Sequence, residues 1–131
     1  MTNLPPVKDV QVWIEYATDD LLWAKHDLSG NFFDKACFAC QQSVEKILKA
    51  YLLHKNKPPP RIHKLPVLLE LCSRFNQEFL HWKDDVILLD NYYIGSRYPE
   101  FLNQQFSQET AAEAISLAQQ IVDFTTQKIV V

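Results

Sequence analysis

Cys37–Leu53, CFACQQSVEKILKAYLL, is the stretch whose reading decides the fold. At about 100° per residue, Cys40, Val44, Ile47, Leu48 and Tyr51 fall on one stripe. Gln41, Gln42, Glu45 and Lys49 fall on the opposite face. Ala36, Ala39, Ser43 and Ala50 line an edge of the apolar stripe, and small side chains there let a neighbouring helix axis come close. The spacing predicts an amphipathic helix from about Phe32 to Lys55. Asn56-Lys57-Pro58-Pro59-Pro60 stops it and makes a stiff, extended connector. On spacing alone, the face carrying Gln42, Glu45, Lys46 and Lys49 reads as a solvated surface.

Helical patterns continue on both sides. After a short tail ending in Pro5-Pro6, a helix is expected from about Val7 to Leu28, stopped by Ser29-Gly30. Val10, Ile14, Ala17, Leu21, Ala24 and Leu28 form its inner stripe. Val12, Tyr16 and Trp23 lie on its far side, and so much apolar surface asks for cover, by a second chain or by the C-terminal helix. A third helix begins near Lys64 with Pro66 in its first turn; Leu65, Leu68, Leu69, Cys72 and Phe75 are its stripe, which fades through Asn76–Trp82. A fourth runs from Asp84 to about Gly95. It carries Val86, Leu89 and Tyr93 on one face and Ile87, Leu88 and Tyr92 elsewhere, as if covered on more than one side. A loop opens at Arg97-Tyr98-Pro99 and ends at Ser107, a candidate N-cap for a last helix from about Gln108 to Ile129. Ala111, Ile115, Ala118 and Val122 face inward there. The prediction is a single all-α domain over residues 1–131, a five-helix bundle, up-and-down because its connections are short.

Composition agrees. The 131 residues are 47% hydrophobic and 22% charged, enough for one domain with its own core. Two glycines are too few for the turns of an all-β fold. No run reaches the ~18 apolar residues of a membrane span, and MTNLPPVKDV has no signal-peptide core, so no membrane association and a cytoplasmic location are expected. Three cysteines, an odd number, fit a reducing compartment. The net charge of −3 is no footprint for non-specific nucleic-acid binding. From Glu45 to Leu65, however, six Lys/Arg stand against one acid. That segment can receive an anion, or simply keep the surface solvated.

Ala36–Ala50, Ile62–Leu65, Ser96–Pro99 and the Trp13–Leu21 segment carry four motifs in register that resemble those of the HEPN family. A-C-F-A-C-Q-Q-S-V-E-K-I-L-K-A (Ala36–Ala50) is similar to its central signature: an aromatic, a small residue, two glutamines, a small residue, then E-K-x-L-K-A. Ile62-His63-Lys64-Leu65 follows a proline-rich turn, Ser96-Arg97-Tyr98-Pro99 comes later, and Trp13, Ala17, Asp20 and Leu21 open the pattern. The resemblance covers nearly the whole chain and implies the bundle that accompanies minimal nucleotidyltransferases, of the nucleotidyltransferase-substrate-binding type. It implies a nucleotide- or RNA-end-binding and assembly role with a separate nucleotidyltransferase as protein partner, in some cases within a toxin–antitoxin pair. A homodimer is expected, with Tyr16, Trp23 or the Tyr92–Tyr98 region near the interface.

Ribonuclease members of the family carry Arg, four to six residues, then His, late in the domain. The histidine moves a proton and the arginine stabilises the charged phosphorane, with no metal. Arg97 is where the arginine is expected, yet no histidine follows it, and Pro99 interrupts the helix that would hold the pair. Arg74 and His81 have the spacing but come early, and on a continuous helix they would lie ~10 Å apart. The chain also lacks a nucleotidyltransferase signature and a Walker-type loop. The expectation is therefore a binding module without catalysis of its own. A ribonuclease with a degenerate or displaced motif, and a purely structural dimer, are the alternatives.

The candidate ligand site is a polar cleft of Lys46, Lys49, His63, Arg97 and Tyr98. Lysines supply charge, arginine grips phosphate, tyrosine stacks on a base, and the helix after His63 favours an anion. Gln42, Lys46 and Lys49 share a helical edge by spacing. Arg97 joins them only through the resemblance, and pairing with Glu45 or Asp20 would give it a structural role instead. Cys37-x-x-Cys40 has no second pair at zinc spacing and reads as core, and His26, His54, His63 and His81 form no close metal pair. No cofactor is expected.

Overall fold

The computed structural model describes residues 9–97 and 106–130, with side chains for 9–93 and 106–129. Among the described residues there are five α-helices and no strand. They are α1 (Val10–Ser29), α2 (Phe33–His54), α3 (Leu65–Ser73), α4 (Lys83–Arg97) and α5 (Gln108–Val130). A 3-10 turn over Gln77–Trp82 sits where the α3 pattern fades. The expected bundle is the observed one. The tail and the start expected at Val7 lie outside the described residues, as do positions 98–105 of the last loop. α4 runs through Gly95 to Arg97, further than the sequence suggested.

α2 is the axis of the bundle and packs against all four other helices. Small residues permit the closest approach. Ser43 Oγ donates to the Ala17 carbonyl at 2.6 Å, which ties α2 to α1 where both helices carry small side chains. Ala17, Leu21, Val44, Ile47, Leu48, Leu65, Leu68, Val86, Leu89, Ala118 and Ile121 fill the interior. At one end Tyr51, Phe79 and Phe124 meet ring to ring, with centroids 4.5 and 5.1 Å apart.

Both long helices that flank the first turn and the proline connector end the same way, on asparagine. The Asn31 N–H donates to the Leu28 carbonyl and Phe32 N–H to Asp27, with Asn31 at φ 67°. The Asn56 N–H donates to Leu53 and Lys57 N–H to Leu52, with Asn56 at φ 62°. Each is a Schellman closure with asparagine in the left-handed position. Gly30, the expected stop, sits at φ −92°, so the left-handed turn falls one residue later than its sequence signal. Ser107 caps α5 as expected, accepting from the Thr110 N–H at 3.0 Å. Asp34 Oδ1 accepts from the Phe106 N–H, which fastens the approach to α5 onto the start of α2.

Some faces differ from their sequence reading. Tyr16 and Trp23 remain 55% and 61% exposed, so α5 does not cover them. Phe75, expected in the α3 stripe, is exposed because the helix has ended at Ser73. On α4, Ile87 and Leu88 are exposed while Tyr92 is buried against Phe106. α4 is therefore an edge helix, covered on one side. No helix of the described residues is long and apolar enough to cross a membrane.

Candidate functional site

Much of the polar face of α2 is inside the molecule. Gln41 is fully buried; its Nε2 donates to the His63 carbonyl at 3.1 Å and its Oε1 accepts from Gln42 Nε2 at 2.8 Å. Glu45 and Lys49 are each 6% exposed. Lys49 Nζ donates to Glu45 Oε2 at 3.0 Å, and the same oxygen lies 2.9 Å from His63 Nδ1. A carboxylate this deep is tolerable only because it is paired and hydrogen-bonded. The reading of this face as solvated surface is thus corrected for Glu45 and Lys49, whereas Gln42 and Lys46 are half-buried. With four helices around it, α2 leaves little of that face to water, so its buried polar residues must satisfy one another.

Of the five expected site residues, Lys49 and His63 meet, both on Glu45. Lys46 turns the other way. Its Nζ donates to Asp20 Oδ2 on α1 at 2.7 Å and lies 5.9 Å from the Tyr16 ring centre. Burial outweighs Lys46 at Asp20 and holds that carboxyl above the usual range. Glu45 and Asp20, the partners considered for Arg97, therefore have these bases on them. Arg97 closes α4. Its side chain, and the whole of Tyr98, lie outside the described residues.

His63 also forms the rim of a pocket. Its side chain is 57% exposed, and its ring lies 11° from parallel with Tyr93, centroids 5.6 Å apart. His63, Lys64, Asp90 and Tyr93 enclose about 300 Å³. The N-terminus of α3 opens beside them, with Lys64 at its N-cap. Asp90 Oδ1 already accepts the Leu65 N–H at 3.0 Å. The helix end expected to receive a ligand anion thus holds the chain's own carboxylate.

Sequence reasoning missed Gln41, Asp90 and Tyr93. Tyr93 had a signal: it stands four residues before Arg97, one helical turn away. Asp90 precedes Tyr93 by three and had the same signal. Gln41 had none beyond its place in the Q-Q of the family-like motif.

The cysteines lie in the core, as expected. Cys37, Cys40 and Cys72 are free and fully buried. Burial, helped by Asp34, pushes the Cys37 thiol up to about 12, and burial raises Cys40 and Cys72 as well. Among the described residues no group of three or more His, Cys, Asp or Glu is arranged to hold a metal ion. Arg74 and His81 do not share a helix. Arg74 is the C-cap of α3, 3.8 Å from Glu70, while His81 lies in the 3-10 turn with its ring edge-on to Trp82. The extended backbone of Asn76 separates them.

Comparison with known proteins agrees with the four motifs. The crystal structure of TT1696 from Thermus thermophilus matches with a TM-score of 0.85 and 29% identity, over 92% of this chain and 98% of that one. No curated protein sequence matches. The HEPN domain family matches residues 10–129, nearly the whole chain, and the chain therefore belongs to the HEPN domain family.

Proposed function

We propose that this HEPN chain is a nucleotide- or RNA-end-binding and assembly module, a homodimer that works with a separate minimal nucleotidyltransferase in a toxin–antitoxin setting. The observation that carries the binding part is His63 held between Glu45 and Tyr93 at the mouth of a pocket. Nδ1 is committed to Glu45, so Nε2 is the nitrogen left for a ligand. His63, backed by the Tyr93 ring and half exposed, offers its outer face to a base. Asp90 has acceptor capacity for ribose hydroxyls, and Lys64 supplies charge for a phosphate. Lys49 acts one step back, by neutralising the carboxylate that orients His63. Arg97, one turn beyond Tyr93, is assigned to the phosphate by family resemblance. The partner enzyme rests on that resemblance too.

The test is a titration of ATP and a short RNA into wild type, Lys64→Gln and Tyr93→Ala, with thermal melts and a tRNA cleavage assay in parallel. Saturable binding is expected, weakened about tenfold or more by Lys64→Gln, since a charge-assisted contact is worth about 1.5–3 kcal/mol, and weakened also by Tyr93→Ala, which removes the ring that backs His63. Absence of binding at millimolar ligand would rule the reading out, and tRNA cleavage would return the chain to the ribonuclease branch.

A further inference from the structure

A second pocket lies away from His63, where the proline connector meets the end of α3. Its volume is about 530 Å³. Leu52 and Leu71 form an apolar floor beside Phe75, whose ring stays 42% exposed. Pro58, Pro60, Lys57 and Arg74 complete the lining, which among the described residues contains no acid. We propose that this pocket binds a small amphipathic carboxylate, an aryl or acyl acid whose apolar body rests on Leu52, Leu71 and Phe75 and whose head group meets Lys57 and Arg74.

Three features support an anion with an apolar body. First, the wall is preset. The Lys57 N–H donates to the Leu52 carbonyl at 3.0 Å and the proline rings fix φ, so little ordering is left to be done on binding. Second, several of the closing carbonyls of the two helices are already engaged, which weakens their opposition to a negative charge. Those of Tyr51, Leu52 and Leu53 accept from Lys55, Lys57 and Asn56. Those of Leu71 and Cys72 accept from Arg74, Phe75 and Asn76.

Third, the charge balance fits one carboxylate. No acid stands in the sequence between Glu45 and Glu70, while six Lys/Arg do. Among the described residues Glu70 is the acid that pairs with the lining, 3.8 Å from Arg74 Nη2, with both side chains 66% exposed. Such a pair is loose and screened, so the guanidinium is free to turn to a ligand. Two cations shared with one acid leave a single positive charge, which a monoanion matches. A pocket of this size and apolar lining with a few polar groups is of the kind that holds small molecules.

The experiment titrates naphthalene-2-carboxylate and its neutral amide into the full chain, followed by amide NMR shifts. The acid should saturate with shifts centred on Lys57, Leu71, Arg74 and Phe75, and bind five- to tenfold more tightly than the amide. Lys57→Gln and Arg74→Gln, both at exposed positions, should each weaken the acid three- to tenfold, leave the amide unchanged, and keep the wild-type melting temperature. Added salt should narrow the gap between acid and amide. Equal affinity for acid and amide, shifts centred on Trp23 or His63, wild-type affinity in both variants, or no saturable shift by about 10 mM would each overturn the proposal.

Discussion

Two faces of this molecule invert the usual arrangement. The polar face of α2, with Gln41, Glu45 and Lys49, is buried, whereas the outer face of α1, with Tyr16, Leu22 and Trp23, is exposed. Both helices are amphipathic, so periodicity alone treats them alike. The difference is position in the bundle. α2 packs against four helices, whereas α1 packs mainly against α2 and α5. Helical spacing reports which residues share a face; the number of neighbours decides whether that face meets protein or water.

The largest effect should come from breaking the buried polar face. Glu45→Ala leaves Lys49 as an uncompensated charge at 8% side-chain exposure, and it releases His63. A loss of about 3–5 kcal/mol is expected, read by urea unfolding. Replacing both partners, Glu45→Met with Lys49→Met, should cost far less, because no unpaired charge remains. If the single substitution proves as mild as the double one, the face is wetter than its burial implies.

The fold was legible and the site only half so, and the reason is the same. Apolar spacing in Cys40, Val44, Ile47 and Leu48 is local information, and it located α2 to within a residue or two. Ser107 announced its own cap. Contacts such as Gln41 to the His63 carbonyl and Asp90 to the Leu65 N–H join residues 22 and 25 positions apart, and no spacing rule reaches them. Lys46 shows the limit most clearly. It shares an edge with Gln42 and Lys49 in sequence, yet its long stem carries the charge to Asp20 on the neighbouring helix.

The core thiols give a pH test of the same packing. Cys37 in the folded chain titrates at about 12 against an ordinary value of 9.0, because burial disfavours the thiolate. The unfolded thiol loses its proton first. The stabilisation is thus fully present below pH 9 and is lost as pH rises from 9 towards 12, by about 1.4 kcal/mol for each unit within that window. Cys40 and Cys72 shift in the same direction and steepen the decline. Alkylation at about pH 8, just below the ordinary thiol range, should be slow in the native state and fast in urea. Prompt native-state labelling would mean that the core opens more readily than the packing implies.

The smallest effect on the folded chain should come from the exposed side of the comparison. Trp23 is 61% exposed, and with Asp19, Leu22 and His26 it borders a shallow pocket of about 330 Å³. Because the ring is mostly in water, Trp23→Gln should move unfolding free energy by no more than about 0.5 kcal/mol. Its effect on self-association should be much larger. In a homodimer formed through this face, a central tryptophan would be an anchor worth about 2 kcal/mol or more, close to thirtyfold in the dissociation constant. The measurement is sedimentation equilibrium of wild type and Trp23→Gln over the micromolar range, beside a urea melt of each. A dimer in the wild type, weakened some thirtyfold in the variant at unchanged monomer stability, would assign the exposed face to a second copy. A wild-type monomer at tens of micromolar would remove the homodimer from the proposed function. A dimer indifferent to Trp23 would move the interface elsewhere. Either result would leave intact the other half of the comparison, because the burial of Glu45 and Lys49 is complete within one chain.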